Sequence, residues 1–171
     1  MQFGFTLLEV GASRLKHSRT VLFKNLVDTF VTIIAFWLIG YEISQGLQGG
    51  FIGTFSTSTE NYYAKWSKAF SFCNTSTTIV SGAMAERTFN DTYIFSTFLM
   101  ATLVYPLASG WAWGDGWLQR AGFKDHAGSG VVHMLGGVVG FIAASIIGPR
   151  LGLYKHQTDD KFRFGRAEIE Q

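Results

Sequence analysis

Residues 125–149 read DHAGSGVVHMLGGVVGFIAASIIGP. From His126 to Pro149, 24 consecutive residues carry no Asp, Glu, Lys or Arg. A helix needs roughly 20 apolar residues to cross a bilayer core. Working outward, residues 92–114 form a second charge-free run of 23. Residues 69–85 form one of 17, rich in Ser and Thr, and residues 29–41 one of 13. The last passes as a span when Lys24 and Asp28 sit in the first turns near the interface, with Glu42 near the far end. Residues 43–59 are also uncharged, but their Gly, Ser and Thr content reads as a loop that continues to about residue 66. Residues 1–13 carry only Glu9 and are too short to span.

Composition points the same way. Of 171 residues, 15% are charged, against about 25% in a soluble domain, while 16% are aromatic and 20 are Gly. High hydrophobicity excludes a disordered chain. A single Cys excludes an internal disulfide framework, and beside four His it argues against a metal site. A net charge of +2 gives no nucleic-acid footprint, and no cofactor motif stands out. The expected fold class is therefore an all-α membrane protein. About five transmembrane helices are predicted: before Arg14, then about 22–45, 68–86, 92–114 and 129–149. Alternating the connections places ten Lys and Arg on one face and four on the other. The richer face belongs in the cytoplasm, so the N-terminus is expected outside and the C-terminal tail inside. Met1 opens directly into an apolar stretch, so the first helix is read as cut short. The division expected is a transmembrane domain over 1–154 and a polar cytoplasmic tail over 155–171.

Within the spans a few residues stand out. Spacings of three, four, seven and eleven place Gly136, Gly137, Gly140 and Ala144 on the helical face of His133. Small residues let helices approach closely, so that face is expected to point into the bundle. His133 is then either a functional ionisable group or a neutral imidazole bonded to a neighbouring helix. Phe72 heads a face of small residues (Thr75, Ser76, Ile79, Ala83) and reads either as a ring over a narrow passage or as ordinary packing. Trp111, Trp113 and Trp117 follow Pro106. They read as an aromatic belt or as a cation–π seat helped by Asp115 or Asp125. Pro106 is expected to kink its helix and free a carbonyl toward a cavity. Glu9, Asp28 and Glu86 are given structural roles, with Lys24–Asp28 and Glu86–Arg87 as interface pairs. Enzyme readings fail: Ser129 and His133 share one turn and lack a strained nucleophile elbow, and no two His are spaced for a metal.

Four stretches together carry a resemblance: MQFGFTLLEVG (1–11), IVSGAMAERT (79–88), residues 105–118 with WAWGDGW, and DHAGSGVVHMLGG (125–137). FKNLVD (23–28) and FWLIGY (36–41) support it. The chain resembles the ammonium transporter (Amt/Mep/Rh) family from Met1 to about Tyr154, closest to its eukaryotic and marine microbial members. The resemblance implies an eleven-helix fold in which two five-helix halves form an inverted repeat. It also implies a homotrimer with one pore per subunit, this chain supplying the first half. It implies roles for four residues. Trp113 and Asp125 would form the outer recruitment site, Phe72 the outer gating ring, and His133 the first of two pore histidines. The second Phe, a recruitment-site Ser and the second His would come from the other half. The implied cargo is ammonium or ammonia, with the bilayer and that second half as partners and the plasma membrane as location.

Departures are visible too. Lys68 stands where the family has an aromatic, Ala69 where it has Gln, and His126 where an aromatic follows the acid, while Asn74 adds polarity below Phe72. Two further readings follow, a non-conducting ammonium sensor or a structural membrane subunit on the same half-fold.

Overall fold

The structure, a computed structural model, describes residues 2–45 and 61–150. Met1, most of the 46–66 loop expectation and the tail expected at 155–171 lie outside the described residues. Every regular element among the described residues is helical: α1 (Gln2–Ala12), α2 (Ser18–Ala35), α3 (Tyr41–Ser44), α4 (Tyr62–Met84), α5 (Asn90–Leu99), α6 (Tyr105–Trp113), α7 (Trp117–Arg120) and α8 (Leu135–Ile147). Wider π-helical turns at Phe36–Gly40, Met100–Val104 and Ser129–Met134 join several of these into longer rods. Among the described residues, three rods, Leu15–Ser44, Asn90–Arg120 and Ser129–Ile147, are long and apolar enough to cross a membrane.

α4 is long enough but too polar, and its position explains why. It packs against α1, α2, α5 and α8, so it is the central helix. Cys73 through Thr78 are all buried. The three threonine hydroxyls fold back on the helix itself: Thr75 donates to the Ser71 carbonyl at 2.7 Å, and Thr77 and Thr78 to the Asn74 carbonyl at 2.9 and 2.7 Å, while Ser76 Oγ is buried without a partner. Satisfied in this way, polar groups can sit where lipid does not reach. The lipid-facing load falls on the other rods, whose Phe30, Ile34, Phe95, Phe141 and Ile146 are exposed.

Close approach fixes two helix contacts. A Cβ on Gly136 would lie 2.9 Å from the Ser76 carbonyl oxygen and 3.0 Å from Ile79 Cβ, and one on Gly140 would lie 3.3 Å from Ala83 Cβ. α8 therefore lies almost on the backbone of α4. The face of α4 below Phe72 is thus packed: Ser76, Ile79 and Ala83 meet these glycines. The second contact joins two π turns. Pro106 has no N–H, and its ring would strike the carbonyl one turn back. The helix widens over Met100–Val104 immediately before it. The Ala101 carbonyl comes out against Gly40, which has no Cβ to obstruct it. The carbonyl expected to face a cavity is packed against a second helix.

The expected ion pairs are replaced. Lys24 does not meet Asp28; its Nζ donates to the carbonyls of Ala85 at 3.0 Å and Thr88 at 2.7 Å, past the end of α4. Helix C-termini carry unpaired carbonyls and partial negative charge, which attract a cation. Asp28 instead accepts from Thr97 Oγ1 at 2.7 Å and from Thr77 and Thr78 at 3.3 Å each. Glu86 pairs with Arg150 and accepts the Arg14 N–H at 3.0 Å. Arg87 donates to the Gly148 carbonyl at 3.2 Å. Both lie in the turn that follows α4, and each finds its partner on another segment.

Candidate functional site

At the opposite end of the bundle, α4 and α6 diverge around a cleft of about 180 Å³. Phe72 of α4 and Trp113 of α6 meet on its wall, ring centroids 5.4 Å apart and tilted by 57°. Trp113 is 37% exposed. Its position follows from the chain on both sides. Gly114 ends α6 so tightly against α3 that a Cβ there would lie 2.6 Å from the Ser44 carbonyl oxygen. On the other side, a Cβ on Gly128 would lie 3.8 Å from Trp113 Cη2.

Gly128 belongs to the turn that carries the other two candidates. Ala127 and Gly128 both adopt left-handed backbone, φ 55° and 83°. That conformation is costly for Ala and free for Gly. The reversal brings the Gly130 N–H to Asp125 Oδ1 at 2.6 Å, with Ser129 Oγ at 3.4 Å from the same oxygen. A Cβ on Gly130 would sit 2.9 Å from that carboxylate, which would have to shift to admit it. Asp125 thus closes the first turn of the rod, while its Oδ2 is buried without a hydrogen-bond partner. The Gly128 carbonyl accepts the N–H groups of both Val132 and His133, at 3.0 and 3.1 Å. The π turn Ser129–Met134 starts from this shared acceptor.

Phe72, Trp113 and the Asp125–Gly130 turn are therefore one neighbourhood. His133 hangs from the same turn by its backbone, but its side chain is exposed. This corrects one expectation. Gly136 and Gly140 face α4, whereas Met134, Val138 and Phe141 are exposed and nothing lies within 4 Å of a Cβ on Gly137. A π turn holds an extra residue, which rotates the preceding side chains relative to an unbroken 3.6-residue repeat. His133 thus shares the exposed face with Gly137 and not the buried face of Gly136 and Gly140.

Several cleft residues escaped the sequence reading. Lys65 lines the cleft with Lys68, Ala69 and Phe72. Offsets of three, four and seven from Lys65 place all of them on one face, so helical spacing could have revealed it. Tyr105 and Ser109 reach the same cleft from α6, and nothing in their spacing to α4 announces that. Trp111 and Trp117 pair with each other, ring centroids 5.9 Å apart. Asp115, offered as a second acid for the cation seat, pairs with Arg120 at 3.0 Å.

This is a helical membrane bundle with an aromatic cleft at one end. The sequence matches the model of the Ammonium Transporter Family over residues 1–165, and the chain belongs to that family. It is 34% identical to "Ammonium transporter 3" of Dictyostelium discoideum, the match covering 92% of this chain and 38% of that protein. It is 37% identical to "Ammonium transporter Amt2" of Archaeoglobus fulgidus, covering 90% of this chain and 36% of the relative. A solved structure of a "Sensor Amt Protein" superposes with a TM-score of 0.83 at 33% identity, over 91% of this chain and 42% of that one. The chain spans less than half the length of these relatives.

Proposed function

We propose that this chain forms the first half of an ammonium transport unit, crossing the membrane five times with its N-terminus outside. The observation that carries the reading is the contact of Phe72 with Trp113 on the wall of an end cleft, beside the Asp125 turn. A small cation arriving there exchanges part of its hydration for the face of an indole, an attraction of about 0.5–2 kcal/mol. Asp125 adds negative charge below. Phe72 is the ring the cargo then passes. Carrying a full charge through a dry lumen is expensive, whereas ammonia leaves its proton behind. His133, on the exposed face of the last rod, is the group that meets the cargo where the second half closes the pore. The unit proposed is a homotrimer in the plasma membrane, as the family resemblance implies.

Charge placement supports the orientation. Among the described residues, Arg14, Lys16, Arg19, Lys24, Arg87 and Arg150 belong to one end of the bundle, four of them linked through Glu86, Gly148 and the end of α4. Lys65, Lys68, Arg120 and Lys124 belong to the other. The fuller end is cytoplasmic by the charge rule. The sensor reading has in its favour one structural neighbour that is called a sensor, and the two Lys at the cleft. Transport is preferred because the curated relatives are named transporters.

The test uses the complete transporter containing this sequence. Trp113→Leu keeps apolar area but loses the π face. Methylammonium should then compete two- to thirty-fold less well at the outer site, following the cation–π range above. Unchanged competition would count against the seat. A non-conducting sensor would show no uptake before the substitution either. A Cys at Gln119 should react with an impermeant reagent in intact cells and one at Asp91 should not; the reverse pattern would overturn the orientation.

A further inference from the structure

We propose that the turn between α1 and α2 is a binding site for anionic phospholipid headgroups, built from Arg14, Lys16 and Arg19 around Leu15. Leu15 is 94% exposed. It opens a three-residue 3-10 turn, Leu15–His17, whose preceding residue Arg14 is extended (φ −69°, ψ 141°). The turn holds Leu15 between two cations that neighbour it in the chain. A single exposed Leu on a soluble surface needs no explanation, but this one continues a pattern. Leu15, Arg19, Leu22, Leu26 and Phe30 follow one another at steps of four, three, four and four, the spacing of one helical face. The four apolar members are exposed, from 45% at Leu22 upward. Arg19 therefore stands on the lipid-facing stripe of the rod Leu15–Ser44. From there a long stem can follow apolar surface while the guanidinium stays at the headgroup level.

The charges at this end divide into two groups. Arg150 and Arg87 are engaged, with Glu86 and with the Gly148 carbonyl. Lys24 is buried on the carbonyls of Ala85 and Thr88. The nearby acids are engaged as well. Glu86 is held by Arg150 and the Arg14 N–H, and Glu9 accepts from Asn25 at 2.7 Å and from Ser81 at 2.6 Å. Among the described residues, the side chains of Arg14, Lys16 and Arg19 make no ion pair or hydrogen bond, and all three residues are exposed. Three uncompensated cations beside an apolar wedge at the end of a membrane rod match a phosphodiester above acyl chains. Each Lys or Arg near an anionic surface strengthens association about five-fold.

The probe is the 171-residue chain with Thr20→Cys, labelled with a fluorophore and placed in phosphatidylcholine bilayers. Cys73 is fully buried and stays in place. A fixed share of the lipid is brominated, either phosphatidylglycerol or phosphatidylcholine, and quenching reports which lipid sits beside the turn. The expected result is a preference for brominated phosphatidylglycerol of at least five-fold at low ionic strength. High salt should shrink it toward parity, because the Debye length falls to about 3 Å at 1 M. Combined Arg14→Gln, Lys16→Gln and Arg19→Gln should remove the preference, and the charge-preserving set Arg14→Lys, Lys16→Arg and Arg19→Lys should keep it. Parity in the parent chain at low salt overturns the proposal, as does a preference that survives neutralisation. Abolition by millimolar glycerol phosphate would assign the site to soluble phosphates and also overturn it. No quenching by either brominated lipid would mean protein covers the turn, with the same consequence. If the neutralised chain fails to fold, the salt titration of the parent chain decides.

Discussion

Glu86 sits where the ends of several helices meet, and its charge state ties them. Burial by itself would raise its carboxyl, but the Arg14 N–H and the Arg150 guanidinium outweigh that and hold it below the ordinary value of 4.5. The unfolded chain therefore binds the proton more readily than the folded one. The contribution of Glu86 to stability is complete above about pH 4.5 and is lost as pH falls through its lower folded value. Glu86→Gln should lower the thermal midpoint in detergent at pH 7 and flatten its decline on acidification. A variant whose acid limb matched the parent would show that Glu86 does not couple these ends. At this scale the sequence was partly legible. Phe72, Trp113, Asp125 and His133 could be named as candidates, His133 from the Gly spacing around it and the four roles from the motif resemblance. Their partners could not. Asp28 is held by Thr77 and Thr97, 49 and 69 residues away. Nothing local distinguishes that from pairing with Lys24 four residues back.

Between helices, the contact of α8 with α4 depends on what Gly136 lacks. A methyl there would press the Ser76 carbonyl and Ile79, both on the helix that fills the centre of the bundle. Backbone cannot give way as a flexible side chain can, so α8 would have to move outward. Gly136→Ala is expected to destabilise the chain by about 1–3 kcal/mol. Gly137→Ala, one residue along, meets nothing within 4 Å and should be neutral or slightly stabilising, since Ala suits a helix better than Gly. Unfolding midpoints of the two variants in the same detergent compare the faces directly, and equal losses would mean that α8 does not pack through Gly136. The helical rods were legible as charge-free runs, including the polar one, because bilayer length is a hard constraint. The π turns were not. A 3.6-residue repeat places His133 with Gly136 and Gly140, and only the wider turn at Ser129–Met134 separates the exposed imidazole from the packed glycines.

For the whole molecule, the face carrying His133, Gly137, Val138 and Phe141 determines what the chain can do alone. In inverted-repeat transporters the cargo site lies at the interface of the repeats. The proposed function makes the exposed face of the last rod, which carries His133, Met134, Val138 and Phe141, one side of such an interface. An imidazole facing hydrocarbon without a hydrogen-bond partner is costly, and surrounding lipid offers none. On the half-transporter reading proposed above, the described residues would supply one wall of a passage, since the sides of α4 and α8 that face each other are closed by Gly136 and Gly140. A chain of residues 1–171 should therefore conduct no ammonium by itself, and should associate through this face when expressed alone. Uptake is measured in cells that lack their own ammonium transport and depend on low external ammonium. Cells expressing residues 1–171 should grow no better than empty cells. Supplying a second half as a separate chain should restore growth, and His133→Ala in the first half should reduce it again. Robust growth on residues 1–171 alone, abolished by His133→Ala, would show that a pore forms without the second wall.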